Sequence, residues 1–419
     1  MGSFSEKRVA DLGAMLEVSR ELAATVELKP LLQKVEVAAR KVLGCERATI
    51  FLYDRARGEL YSRLATGVDE IRISVEKGIA GEAARTGEAV KVPDAYADPR
   101  FNADVDRRTG FKTRNMIAFP LVGFDNSIVG VLQVLNKVSG SFDEWDDELV
   151  STFGAQVGVA VQRQILLDEY AEKQRIQEDL NIARKIQQGL LPAHPPQVPG
   201  FDIAGWNKPA DETGGDCYDF LELQNGGVAI IVADATGHGI GPALMIAECR
   251  ALFRAMISLS QDLSGVSCRI NDLLCEDLLE DKFVTAFLGL LSPAERTLSY
   301  LSAGHGPLLK YVRADDAVAE LSANAVPLGI MPGMRFDAPD RFVMQPGDMM
   351  ILMTDGFFEW VSAQDEQFGV ARVCEVIRRN RDLSSGEIIQ RMHEAVVAFA
   401  GGTSQSDDLT AVIVKKLPE

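Results

Sequence analysis

Between Asp143 and Leu191 the chain carries no proline, and then meets Pro192, Pro195, Pro196 and Pro199 in quick succession. Proline removes a backbone donor and clashes with the preceding turn, so the first stretch can form one helix and the second must end it. Leu149, Val150, Phe153, Val157 and Ala160 fall on one face of that helix. Further along, Ile176, Leu180, Ala183 and Leu190 recur at spacings compatible with a coiled-coil seam, with Glu169, Glu172, Lys173, Arg175 and Asp179 between them. A seam of this kind calls for a second helix against it, and a helical dimer junction is expected. The helix thus separates an N-terminal domain (1–165) and a linker (166–199) from a C-terminal domain (200–419). At roughly 100–200 residues per domain, 419 residues allow two or three domains.

In the first half, apolar residues at helical spacing predict helices over 5–43, broken near Pro30 and stopped by Gly44. ATIFLYD (48–54) and ELYSRLA (59–65) read as strands turning at Arg57-Gly58; MIAFPLV (116–122) and SIVGVLQVLNK (127–137) read as a second hairpin turning at Asp125-Asn126. In the second half, strands are expected at 228–234, 283–292, 297–303, 342–355 and 409–416, with helices at 241–259, 265–280, 369–380 and 385–400. The fold class is therefore α+β, with antiparallel sheets on either side of a long linker helix.

Composition narrows the function. Net charge is −18, from 61 acidic against 43 basic residues, so the basic footprint of a nucleic-acid binder is missing and anionic membranes are repelled. Cys45, Cys217, Cys249, Cys268, Cys275 and Cys374 form no CxxC pair and match no zinc or disulfide framework, as expected of reduced thiols in a cytoplasmic protein. MGSFSEKRVADLG lacks the apolar core of a signal peptide, and Glu6 stands where a myristoylation site needs Ser or Thr. No apolar run approaches the length of a membrane span.

The chemistry is written in acidic residues at strand ends and glycine turns. Asp216 lies in GGDCYDF, Asp234 ends an apolar strand and enters ATGHG, Asp355 ends MMILMTD before Gly356, and Asp407-Asp408 precede LTAVIV. Strand ends are rigid and glycines let the backbone turn freely, so such carboxylates can converge. Converging carboxylates repel one another. Two divalent cations relieve that, and oxygen ligands suit Mg²⁺ or Mn²⁺ rather than zinc. A pair of such ions acidifies a shared water and neutralises phosphoryl oxygens. Taken singly, an Asp-Gly is an ordinary turn, and His238 and His305, each in a GHG triplet, read equally as turn histidines. No GxSxG elbow or Walker loop occurs.

GGDCYDF, ADATGHGIGPALM, FVTAFLGLL, LSAGHGPLL, PLGIM, GDMMILMTDGFFE and SDDLTAVIV occur in that order over 200–417. Together they resemble the metal-dependent (PPM, protein phosphatase 2C-like) protein phosphatases of the bacterial SpoIIE/RsbU branch. The resemblance implies an α/β-sandwich and a two-metal serine/threonine phosphatase. Position by position it implies Asp216, Asp234, Asp355 and Asp407 as acidic metal ligands, with the backbone carbonyl of Ala235 as a further one. Asp407 matches better than Asp408. Cys217, Ala235-Thr236 and Gly306 depart from the common pattern without removing a ligand side chain. No phosphate-binding arginine has a match. IARKIQQGLLPAHPP resembles the helix and proline exit that precede these domains.

GIAGEAARTGEAVKVPDAYADPRFN, TRNMIAFPLV and IVGVLQVLNK, followed by FDEWDDE, resemble a GAF domain. Asn136, Lys137, Phe142 and Asp146 resemble the N-K-F-D-E signature of cyclic-nucleotide-binding GAF domains, with Asp147 in place of Glu. That signature is thought to support the fold rather than touch nucleotide, so a cyclic nucleotide and a GAF domain serving only dimerisation are both open. The resemblances imply a cytoplasmic homodimer joined through GAF domain and linker. They imply a phosphorylated protein as substrate, of the STAS-domain anti-sigma-factor-antagonist kind. The competing expectation is a signalling scaffold whose phosphatase domain is catalytically silent.

Overall fold

The computed structural model describes residues 2–62, 71–279 and 281–418. The chain divides into two compact units, Met1–Ile176 and Gln177–Glu419. No helix among the described residues is long and apolar enough to cross a membrane.

The first unit runs α1 (Gly2–Ala23), α2 (Leu28–Leu43), β1 (Cys45–Asp54), β2 (Glu59–Ser62), β3 (Ile71–Ser74), α3 (Gly78–Thr86), β4 (Val90–Val92), α4 (Asp104–Thr109), β5 (Met116–Val122) and β6 (Ile128–Lys137). It then enters α5 (Glu144–Leu190), within which the division falls. The strands form one six-stranded antiparallel sheet in the order β3-β2-β1-β6-β5-β4. Both hairpins stand where the sequence places them, with Gly58 and Asn126 at positive φ in their turns. The last residues of the expected 59–65 strand lie outside the described residues. The helical break comes at 24–27, just before Pro30, which is tolerated in the first turn of α2.

Side chains alternate across the sheet, and both faces are covered. Ile50, Leu52, Leu132 and Val134 pack under α1, α2 and the start of α5. Phe51, Val131 and Leu135 face α3. A strand buried on both faces reads as a near-continuous apolar run, as β6 does.

The second unit contains β7 (Phe201–Lys208), β8 (Asp216–Glu222), β9 (Val228–Ala235), α6 (Ile240–Leu259), α7 (Leu263–Asp277), β10 (Val284–Ser292), β11 (Thr297–Ala303), β12 (Leu308–Val312) and β13 (Ala317–Leu321). It continues with β14 (Asp340–Val343), β15 (Met349–Met353), α8 (Gly356–Glu359), α9 (Val370–Arg379), α10 (Ser385–Ala400) and β16 (Leu409–Lys416). Two five-stranded antiparallel sheets, β14-β11-β10-β9-β8 and β13-β12-β15-β16-β7, stack face to face. On β9, Ile230 and Val232 point between the sheets, while Ile231 and Ala233 point to α6 and α7. On β16, Val412 and Val414 point inward, and Ala411 and Ile413 point to α8–α10. The result is a helix–sheet–sheet–helix sandwich. Each fully buried Ile or Val stabilises it by roughly 1.5–3 kcal/mol.

The single strand expected over 342–355 is two strands in different sheets. Phe342 pairs with Leu298 in the first sheet, whereas Ile351 pairs with Leu309 and Ile413 in the second. Pro346 cannot donate to a ladder, and Gly347 takes φ 88, so the chain crosses between layers there.

Candidate functional site

Two strands from each sheet end at the same edge of the sandwich. In the first sheet Asp216 opens β8 directly opposite Asp234 near the end of β9. In the second, β15 and β16 pair so that Met353 faces Ala411, which places Thr354-Asp355 beside Asp407-Asp408. The sheets are joined here by Thr354. Its hydroxyl donates to Asp216 Oδ2 at 2.6 Å and accepts from the Thr410 N–H at 3.0 Å. Gly356 follows Asp355 where a Cβ would stand 2.1 Å from the Asp408 carbonyl oxygen, so only glycine lets α8 start at that point.

The carboxylates are graded from floor to mouth. Asp216 is buried, Asp234 and Asp355 are half-buried, and Asp407 is exposed. Burial, then the charges of Asp234 and Asp408, push the Asp216 carboxyl well above its ordinary range. Burial and the charges of Asp355, Asp407 and Asp408 push Asp234 up to about 8. Burial, Asp407 and Glu359 push Asp355 up to about 6. Among the described residues, none of the ion pairs formed by Lys, Arg or His involves these groups; the nearby His238 is spent on Asp211, at 3.1 Å and well exposed. His305 is buried, its pKa pushed down to about 4 by that burial, and its Nδ1 lies 3.4 Å from the Thr285 hydroxyl.

Asp407 and Asp408 have different surroundings. The Asp408 carboxylate accepts the Ala210 N–H at 2.7 Å and the Asp216 N–H at 3.3 Å, and a backbone bond from Gly215 also lowers its pKa. Burial outweighs these bonds and leaves its pKa raised. It therefore organises the 210–216 loop. The Asp407 carboxylate accepts only the Asp408 N–H among the described hydrogen bonds, and its charge acts on both Asp234 and Asp355. Ala235 is fully buried. Gly215 lies close enough to its carbonyl that a Cβ there would come within 2.9 Å of the oxygen.

Acidic groups without ion-pair partners around a buried floor suit divalent cations by donor chemistry. Among the described residues no three Asp, Glu, His or Cys groups stand spaced to grip one ion as they are. Mg²⁺ keeps several waters and is commonly held by one or two carboxylates, so this donor set fits it without a three-group cage.

The N-terminal unit contains a separate cavity of about 330 Å³. Phe51, Ile79 and Met116 line its apolar part, and Arg47, Thr49 and Gln133 its polar part. The Arg47 guanidinium lies 4.2 Å over the Phe111 ring. Asn136, Lys137, Phe142 and Asp146 do not line it. Asn136 accepts the Arg114 N–H at 2.6 Å and donates to Glu46 and the Lys112 carbonyl. Lys137 binds the buried Asp146 and the Leu43 carbonyl. The signature ties β6 to α2 and α5, which is a structural task.

Residues 224–416 match the model for Stage II sporulation protein E (SpoIIE), and residues 27–161 match the GAF domain model. The chain therefore carries a GAF-type region followed by a SpoIIE-type region. The SiaA-PP2C domain of Pseudomonas aeruginosa shares its fold over 58% of this chain and 98% of that one, at 24% identity and TM-score 0.51. Among curated relatives, Protein IcfG of Synechocystis sp. is 26% identical over 266 residues, covering 56% of this chain and 41% of its own length. The probable 3',5'-cyclic phosphodiesterase pde-5 of Caenorhabditis elegans is 32% identical over 170 residues, covering 37% of this chain and 23% of its own length. The chain thus spans less than half the length of these curated relatives.

Sequence reasoning missed Thr354, Thr410 and the loop-holding role of Asp408. It also missed Asp219, a buried carboxylate on β8 paired with Arg250 at 2.8 Å and Arg254 at 2.6 Å on α6. Arg250 and Arg254 are spaced i, i+4 on one helix face, which was the available signal.

Proposed function

We propose that this protein is a metal-dependent serine/threonine phosphatase whose GAF domain regulates it. One observation carries the reading: acidic groups from the ends of four strands, in two sheets, meet at one edge of the sandwich without a basic ion-pair partner among the described residues. Asp216, Asp234, Asp355, Asp407 and the Ala235 carbonyl would hold two divalent cations, Mn²⁺ or Mg²⁺. Such ions supply an acidified water and charge neutralisation on a phosphoryl group. The chain's own part is to hold that donor set. Thr354 fixes Asp216, the β8–β9 pairing fixes Asp234, and Asp408 keeps the loop before Asp216 in place.

The proposed substrate is a phosphorylated STAS-domain anti-sigma-factor antagonist in the cytoplasm. A homodimer through the GAF domain and linker is supported by Leu166, Tyr170 and Ile176, apolar on α5 and exposed. The cavity in the GAF domain has room and mixed polarity for a small ligand, and a cyclic nucleotide is the first to test. Calorimetry with cyclic AMP and cyclic GMP does so, and absence of heat removes the idea.

The alternative reading is a silent phosphatase fold within a signalling scaffold. Phosphate release from a phosphorylated STAS protein and from p-nitrophenyl phosphate, titrated with Mn²⁺ and Mg²⁺, separates the two. Metal-dependent release by the wild type that Asp234→Asn abolishes supports the enzyme. No release from either substrate, by the full chain or by residues 196–419, supports the scaffold.

A further inference from the structure

The end of α5 reaches the loop that delivers Asp216. Gln187 donates through Nε2 to the Gly214 carbonyl at 2.6 Å and accepts the Gly214 N–H through Oε1 at 3.0 Å. One side-chain amide thereby satisfies both backbone groups of a buried residue, as a neighbouring strand would. Among the described hydrogen bonds Gly214 has no other partner, so losing Gln187 leaves a buried donor and a buried acceptor unmade.

Gly214 is pinned from its other side by the site. A Cβ on it would lie 2.2 Å from Asp408 Oδ2, so its Cα rests on that carboxylate. The same carboxylate binds the N–H groups of Ala210 and Asp216. One residue further, the Gly215 carbonyl accepts the Ala235 N–H at 2.9 Å. The loop is therefore clasped between a helix on one side and Asp408 and Ala235 on the other. A second contact keeps the helix in register: Gln177 donates to Glu212 Oε1 at 3.0 Å, and the Arg184 charge also acts on Glu212. Leu180, Ala183, Gln187 and Leu190 are half-buried at helical spacing. Most of the stripe that reads as a coiled-coil seam is thus already partly covered in the single chain.

We propose that Gln187 is a positioning residue for the metal site. Its amide holds Gly214 against Asp408, and through that loop sets where Asp216 and the Ala235 carbonyl stand. The inference rests on the metal-site reading above. Partners that orient metal ligands typically contribute about 10–100-fold in metal affinity, and Gln187 acts one step further out through backbone. The expected loss is about tenfold.

The test uses the full chain as wild type, Gln187→Met, Gln187→Glu and Asp234→Asn. Mn²⁺ binding is measured by calorimetry and melting by calorimetry in EDTA. Gln187→Met keeps length and packing but makes neither bond, and should weaken Mn²⁺ binding about tenfold. Gln187→Glu keeps the acceptor for the Gly214 N–H but turns an oxygen toward the Gly214 carbonyl in place of the donor, so it should weaken Mn²⁺ binding at least as much as the Met variant, and either folded variant suffices for the comparison. A purely structural glutamine would lower the melting temperature and leave Mn²⁺ affinity at the wild-type value in the folded variants; that result overturns the inference. If wild type binds Mn²⁺ and Asp234→Asn does not, the metal-site reading stands whichever way Gln187 falls. If wild type binds none, that reading fails and takes this inference with it.

Discussion

Removing the Asp234 charge should make the metal-free protein more stable while abolishing activity. Asp234 has its pKa pushed up to about 8 by burial and by Asp355, Asp407 and Asp408, against 3.8 for the free side chain. Between those values the native state binds more protons than the unfolded chain, so stability is fully present below about 4 and falls as pH rises toward 8. At pH 7.5 the difference of 3.7 units corresponds to at most about 5 kcal/mol, at 1.36 kcal/mol per unit. Neighbouring carboxylates share the proton, and an asparagine relieves only its own part, so about 1–3 kcal/mol is expected. For a unit of this size that is a rise of roughly 2–12 °C in Tm. The assay is calorimetric melting of wild type and Asp234→Asn in EDTA from pH 5 to 8, repeated with saturating Mn²⁺. The gap should open with pH in EDTA and close or reverse with Mn²⁺, since a bound ion stabilises only the form that holds it. A metal-free variant no more stable than wild type at pH 8, or equal Mn²⁺ shifts in both proteins, would refute the reasoning.

Three further outcomes are expected. Thr354→Val removes the 2.6 Å hydrogen bond to Asp216 and should cost about 1.5–3 kcal/mol of stability in Mn²⁺-loaded protein, read by urea titration, together with a higher Mn²⁺ requirement. Lys137→Met strands the buried Asp146 and should destabilise the N-terminal unit by about 3–5 kcal/mol, with the Lys137→Met/Asp146→Leu double variant recovering much of it. Lys282→Ala removes a half-buried ammonium 3.5 Å from the Thr236 carbonyl, beside the turn after Ala235, and should raise KM for a phosphoester more than it lowers kcat.

Much of the architecture was legible in the sequence because it is local. The proline-free stretch is one helix over Glu144–Leu190, and the apolar alternation at 297–303 and 409–416 marks strands of those bounds. The acidic positions stood out for the same reason, since each follows or precedes an apolar run within one residue or two.

What the sequence could not supply was partnership across the chain. The run at 342–355 is apolar on both sides of Gln345–Asp348, and that break does not say which sheet each side joins; the ladders to Leu298 and Ile413 decide that. Asp407 and Asp408 are neighbours with the same side chain. One is exposed toward the mouth of the site and the other is consumed by N–H groups at Ala210 and Asp216, nearly two hundred residues away. The seam on α5 is compatible with a second helix, yet Leu180, Ala183 and Leu190 are already half-covered and Gln187 is bonded to Gly214. Periodicity sets which face of an element is apolar or acidic; which surface meets that face depends on contacts that exist only once the sandwich has closed.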